Sequence, residues 1–155
     1  MTVQYLVASA DDEYAAAAIL FKEYAASINI NLDFQHFDKE ITTLKEMYAP
    51  SEGGIILAKS GEEIIGCAAI RKLGEQEAEL KRMYVKPGQQ SLGIGRNLLI
   101  AALDLASKCN YKVVKLDTLN HMLAAIHLYK QYGFYEVPAY YQNPIATALY
   151  FEKKL

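Results

Sequence analysis

One stretch limits the fold of this chain more than any other: Glu79 to Asn97, Glu-Leu-Lys-Arg-Met-Tyr-Val-Lys-Pro-Gly-Gln-Gln-Ser-Leu-Gly-Ile-Gly-Arg-Asn. Residues 79–85 read as a strand that closes on Tyr84 and Val85, both good strand formers. Pro87-Gly88 stops it. From Arg96 to Leu103 the residues are good helix formers. Between strand and helix stands Gln90-x-x-Gly93-x-Gly95. Glycines at 93 and 95 strip Cβ atoms from the backbone, so another molecule can approach closely. The helix start adds unpaired N–H groups and a partial positive charge. A phosphate or pyrophosphate is the ligand that suits such a loop.

The rest of the chain supplies a single domain, 1–155, with room for a sizeable core. Val3 to Ala8 reads as a strand. Asp11 and Asp12 open an alanine-rich helix from Glu13 to about Ser27, and Asn29 and Asn31 break it. Phe37, Ile41, Leu44 and Tyr48 recur at helical spacing, so one amphipathic helix is expected up to Tyr48, ended by Pro50. Ile55–Lys59, Ile64–Arg71 and Glu77–Val85 are strands joined by tight turns. A helix from Gly93 to about Lys108, a strand at Val113–Asp117 and a helix at Met122–Tyr132 follow. Gly133 ends that helix. Phe134–Val137 and Ala148–Phe151 are the last strands. Hairpins followed by β-α-β units predict an α/β (α+β) fold: a mixed sheet with helices on both faces.

The glycine loop, the strand before it and Tyr129-x-x-x-Gly133-Phe134 resemble the signature of the GCN5-related N-acetyltransferases, the GNAT superfamily. The order of elements is also similar, so the resemblance covers nearly the whole chain. It implies the GNAT fold, with a mostly antiparallel central sheet of about seven strands. It implies an acyl-CoA-dependent N-acyltransferase that uses acetyl-CoA as co-substrate and a small-molecule or peptide amine as acceptor. The amine would attack the thioester directly in a ternary complex. The alternative is a non-catalytic module that senses acyl-CoA, and a homodimer stays open.

The resemblance also assigns residues. Gln90, Ser91, Leu92, Gly93, Ile94, Gly95 and Arg96 would hold the cofactor, mostly through backbone N–H groups. Met83, Tyr84 and Val85 would pair with the pantetheine arm, and the amide near Met83 would polarise the thioester carbonyl. Tyr129 would protonate the leaving thiolate, with Ala125 at the signature's alanine position. Where many relatives carry asparagine, position 122 is Met; Asn120 is the substitute candidate. Glu79 is the candidate base. Regular strand alternation would set Glu79, Lys81, Met83 and Val85 on one face, and partial burial would raise the Glu79 pKa. An ordinary strand carboxylate fits the sequence equally well. Tyr140 and Tyr141 are candidates for the acceptor site, which would be built from residues 24–37 and 138–147.

Composition excludes other classes. Net charge is −2, which does not suggest nucleic acid. Charge is uneven: residues 1–50 carry three Lys and eight Asp or Glu, residues 51–155 thirteen Lys or Arg and ten acids. A basic half suits an anionic cofactor and an acidic half a cationic amine; ordinary surface scatter explains the split equally well. No run of eighteen apolar residues suggests a membrane span. The N-terminus shows no signal-peptide pattern, so a cytoplasmic protein is expected. Cys67 and Cys109 form no Cys-x-x-Cys, and Cys67 reads as core. His36, His121 and His127 lack metal-site spacing, so no metal is expected. There is no Gly-Lys-Ser/Thr and no Gly-x-Ser-x-Gly. A dinucleotide motif is opposed by Leu98 at the third glycine position, by the charged preceding strand and by the seven residues Lys86–Leu92 before the glycine, despite Asp117 22 residues past Gly95.

Overall fold

The computed structural model describes residues 2–90 and 92–155. In chain order the elements are β1 (Val3–Val7), α1 (Asp11–Ile28), a single 3-10 turn (Asp33–Gln35), α2 (Phe37–Thr42), α3 (Leu44–Met47), β2 (Gly54–Ser60), β3 (Glu63–Lys72), β4 (Glu77–Val85), α4 (Ile94–Lys108), β5 (Val113–Leu119), α5 (Leu123–Gln131), β6 (Tyr135–Val137) and β7 (Ala148–Lys154). Among the described residues seven strands form one sheet, in the order β1-β2-β3-β4-β5-β7-β6. Only β4 and β5 pair in parallel; the other neighbours are antiparallel. The mixed, mostly antiparallel sheet read from the sequence is the sheet observed.

Helices cover both faces. On one, Leu98, Leu99 and Ala102 of α4 and Tyr129 of α5 pack over Ile70, Leu80 and Leu116. On the other, Leu20 and Phe21 of α1 and Leu44 of α3 pack over Leu57, Cys67 and Ala69. Among the described residues no helix is long and apolar enough to cross a membrane.

The expected helix from Phe37 to Tyr48 is two short helices, because Thr43 leaves helical geometry at φ −132°. Both Thr42 and Thr43 hydroxyls donate to the Lys39 carbonyl, at 3.0 and 2.7 Å. Side chains that bond the backbone in this way compete with the helical ladder.

A second departure has larger consequences. Lys81 pairs with Ala69 and Tyr84 with Cys67, so Arg82 and Met83 stand opposite Ala68 alone. This is a β-bulge, and Arg82 takes φ +58°. The bulge reverses the side-chain parity of β4. Glu79 and Lys81 share a face with Arg82 and Tyr84, while Met83 and Val85 pack into the α4 core on the other side. Regular alternation through this strand is therefore corrected.

A left-handed non-glycine residue costs roughly 1–2 kcal/mol, and a buried ion pair holds this one in place. Arg82 donates from Nη2 to Glu40 Oε1 at 2.7 Å and from Nε to Oε2 at 3.0 Å. Tyr48 OH donates to the same Oε2 at 2.8 Å. The guanidinium lies 5.3 Å from the Phe37 ring and 5.9 Å from that of Tyr24. The buried Cys67 Sγ donates to the Arg82 carbonyl at 3.2 Å.

Burial pushes the Glu40 carboxyl up, but the bonds and charge of Arg82 outweigh it and leave the pKa below the ordinary carboxylate range. A depressed folded pKa adds stability above the unfolded value and loses it as pH falls through the folded one. Glu40→Gln, which strands a buried guanidinium, is expected to cost about 3 kcal/mol at pH 7. In urea titrations the gap between Glu40→Gln and the natural protein should narrow once pH drops below about 4.5. A gap that is constant with pH would contradict the pairing.

Candidate active site

The sheet opens at its centre. β4 and β5 pair only at Glu77–Val113, Ala78–Val114 and Glu79–Lys115. Beyond these, β4 stays with β3 as far as Val85 and β5 stays with β7 as far as Leu119. From Leu80 and Leu116 onward the facing edges of the two strands are therefore unpaired with each other. A small cleft of about 30 Å³ lies in this wedge, lined in part by Leu80, Met83, Asp117, Thr118 and Tyr129. Unpaired strand edges expose N–H and C=O groups that an extended ligand can complete.

The glycine loop stands at the same end of the sheet, where β4 runs out. Gly93 is the N-cap of α4 at φ +74°, and a Cβ there would meet, among the described residues, Arg96 Nη2 alone, at 3.7 Å. The position needs glycine for its backbone angle. The first bond of α4 runs from Asn97 N–H to the Gly93 carbonyl at 3.1 Å. No carbonyl among the described residues accepts from the amides of Ile94, Gly95 or Arg96. The Ile94 side chain is core, so that residue offers its amide alone. Leu92 and the Arg96 side chain are exposed. Gln90 Nε2 donates to the Val85 carbonyl at 3.2 Å, tying the loop to the end of β4. Ser91 lies outside the described residues. Asn120 is exposed just past β5, its N–H donating to the Thr147 carbonyl at 2.9 Å. Tyr84 faces α1 and donates to Glu23 Oε2 at 3.3 Å.

Tyr129 and Glu79 sit on opposite sides of the sheet. Tyr129 is buried against Phe134, with ring centroids 5.7 Å apart. Its hydroxyl has no hydrogen-bond partner among the described residues and lines the cleft. Burial pushes its phenol up, so it stays protonated and able to donate.

Glu79 is 2% exposed. Its Oε1 accepts from Arg71 Nε at 2.8 Å and lies 3.8 Å from Lys81 Nζ; its Oε2 accepts from Tyr140 OH at 2.6 Å. Burial raises its pKa, but the charges of Lys81 and Arg71 and the two hydrogen bonds outweigh that and leave it lowered. The expected upward shift is thus reversed, because burial came with partners. Burial in turn lowers the Lys81 ammonium, with Glu79 opposing.

Two neighbouring tyrosines bind carboxylates on the two diverging strands. Tyr140 holds Glu79 on β4, and Tyr141 OH donates to Asp117 Oδ2 on β5. Tyr141 also accepts from Gln35 Nε2 and Asn143 Nδ2, each at 3.0 Å. The segments 24–37 and 138–147 thus meet over the wedge. Beneath them is a chamber of about 700 Å³ that Gln35, Arg71, Glu79, Lys81, Tyr140 and Tyr141 help to line. Lys81 lines chamber and cleft alike.

Asp117 had no place in the sequence-based site. Its signal was a carboxylate on a buried apolar strand, Val113-Val114-Lys115-Leu116-Asp117. Among the described residues no group of three His, Cys, Asp or Glu side chains is placed to hold a metal ion.

The sequence profile of the Acetyltransferase (GNAT) family matches residues 22–134. An uncharacterised N-acetyltransferase of Schizosaccharomyces pombe is 33% identical over 134 residues, covering 85% of this chain and 82% of its own. A GNAT-family acetyltransferase structure from Staphylococcus aureus Mu50 superposes with TM-score 0.82 at 19% identity, over 99% of both chains. The PaiA N-acetyltransferase of Thermoplasma acidophilum, solved in complex with coenzyme A, superposes with TM-score 0.75 at 18% identity over 100% of each chain.

Tyr140 and Tyr135 make the same bond in different surroundings, each donating to a glutamate at 2.6 Å, one part-buried and one exposed. Tyr140→Phe is expected to cost about 2 kcal/mol in urea unfolding, because it leaves a buried carboxylate short of a donor. Tyr135→Phe should cost less than about 0.5 kcal/mol. Equal losses would mean that burial does not set the value of the Glu79 contacts.

Proposed function

Because this chain belongs to the GNAT acetyltransferase family, we propose that it transfers the acetyl group of acetyl-CoA to a primary amine by direct attack in a ternary complex. One observation supports this reading: Tyr129, whose hydroxyl has no partner among the described residues, lines the open β4–β5 wedge at the end of the sheet where the amides of 94–96 have no acceptor among the described residues.

In this proposal the cofactor diphosphate rests on the amides of residues 93–96, with Gln90, Ser91 and Leu92 completing the loop. The pantetheine arm lies along the free edge of Met83, Tyr84 and Val85, and Asn120 flanks it beyond β5. The thioester carbonyl takes a backbone N–H of β4, which stabilises the oxyanion as the amine attacks. As the C–S bond breaks, the thiolate takes its proton from Tyr129, which solvent restores.

The amine must lose a proton before or during attack. Glu79, the base suggested by resemblance, has both oxygens bonded and a lowered pKa, so it suits a positioning role. Asp117 faces the cleft with one oxygen bonded to Tyr141 and the other without a partner among the described residues. We assign the proton-accepting role to Asp117.

Thiol release across an amine panel tests the whole reading; acetyl-CoA binding without release for any amine would leave a sensor. Gly93→Asp places a carboxylate where the diphosphate sits, at a strained backbone angle, and calorimetry should find no CoA binding. Unchanged affinity would reject the loop assignment. Tyr129→Phe should lower kcat about 100-fold with little change in KM for acetyl-CoA. Asp117→Asn should show a deficit near pH 7 that shrinks toward pH 10, where roughly a quarter of a simple amine is already neutral. A deficit that does not vary with pH would remove the base role.

A further inference from the structure

The chamber beneath the tyrosine loop and the cleft beside it share Lys81 but differ in their charged lining. In the chamber, two cations share one carboxylate. Arg71 Nε and Lys81 Nζ both face Glu79 Oε1, and Tyr140 occupies Oε2. The side chains of Lys81 and Glu79 are 7% and 2% exposed, so bulk water does little to offset the surplus positive charge. The Arg71 Nη groups have no acceptor among the described residues, and the side chain, 30% exposed, lines the chamber. A guanidinium fork of this kind matches a carboxylate.

The cleft, unlike the chamber, is lined by Asp117, one of whose carboxylate oxygens no described residue occupies. The other charges nearby cancel: Glu40 is matched by Arg82, and Lys39 and Glu46 are exposed residues of opposite sign.

Strand geometry sets the separation. Arg71 pairs with Glu79, and Glu79 with Lys115, two residues before Asp117. Two strand spacings across and two residues along put the Arg71 and Asp117 backbones at least about 12 Å apart, since β4 and β5 part beyond Glu79. An acceptor touching both needs its amine and its anion at opposite ends of an extended chain.

We propose that the acceptor is a primary amine with a carboxylate at its far end, the carboxylate docked on Arg71 and Lys81 and the ammonium on Asp117. This rests on the acetyl-transfer reading above. It disfavours diamines, whose second ammonium would meet Arg71, and neutral amines, which leave the cations unmatched.

The test is a length-matched series on the natural protein: aminohexanoate, aminohexanamide, hexylamine and hexanediamine. Each is followed by thiol release with acetyl-CoA and by calorimetric binding. Aminohexanoate is expected to exceed its amide and the diamine in kcat/KM and in affinity by about tenfold or more, the range of a hydrogen bond to a charged group. In Arg71→Met the ratio between acid and amide should fall toward one. If that variant does not fold, the series on the natural protein decides alone. Thiol release without preference for the acid would overturn the carboxylate subsite and leave acetyl transfer standing. Tighter binding of the acid without thiol release would uphold the subsite and overturn transfer. Neither binding nor release would overturn both.

Discussion

The early parting of β4 from β5 is the constraint on which the site depends. Three residue pairs join the two strands, and then each follows its other neighbour. The bulge at Arg82 falls within this parting. An extra residue there bends the strand and raises its twist, which is unfavourable unless something fixes it. Glu40 does so from α2, with Tyr48 on the same carboxylate and two aromatic rings against the guanidinium. The fold stores a strained residue beside its cleft and holds it with a buried ion pair, so stability and site geometry share the same atoms.

The bulge also divides the work between the two faces of the sheet. Before it, β4 turns Glu79 and Lys81 toward the chamber. After it, Met83 and Val85 turn into the α4 core. The backbone between them keeps a free edge. In the proposed function, cofactor contacts would fall to main-chain groups and chamber chemistry to side chains. Tyr140 and Tyr141 connect the two by gripping a carboxylate on each side of the wedge.

Features written in contiguous residues were legible in the sequence. Gly93 and Gly95 announce the helix entrance, and the run of hairpins followed by β-α-β units gives the sheet. Tyr129 could be singled out because it precedes Gly133-Phe134. What depended on distant partners was hidden. Arg82 looks like any strand residue, so the parity change past it could not be read. The Glu79 partners include Tyr140, 61 residues away, and a count of burial alone gave its pKa shift the wrong sign. Asp117 stands out in the sequence only by its dinucleotide-motif spacing past Gly95, because nothing local shows that it faces a gap. The break at Thr43 arose from two hydroxyls competing for one carbonyl, which apolar periodicity does not register.

Amide hydrogen exchange of the natural protein with and without acetyl-CoA tests the central claim most directly. Cofactor bound across the helix entrance and along the free β4 edge should protect amides of residues 94–96 and of the stretch 83–85, with β1 and β2 unchanged. Protection confined to other elements, or none at saturating cofactor, would contradict the account.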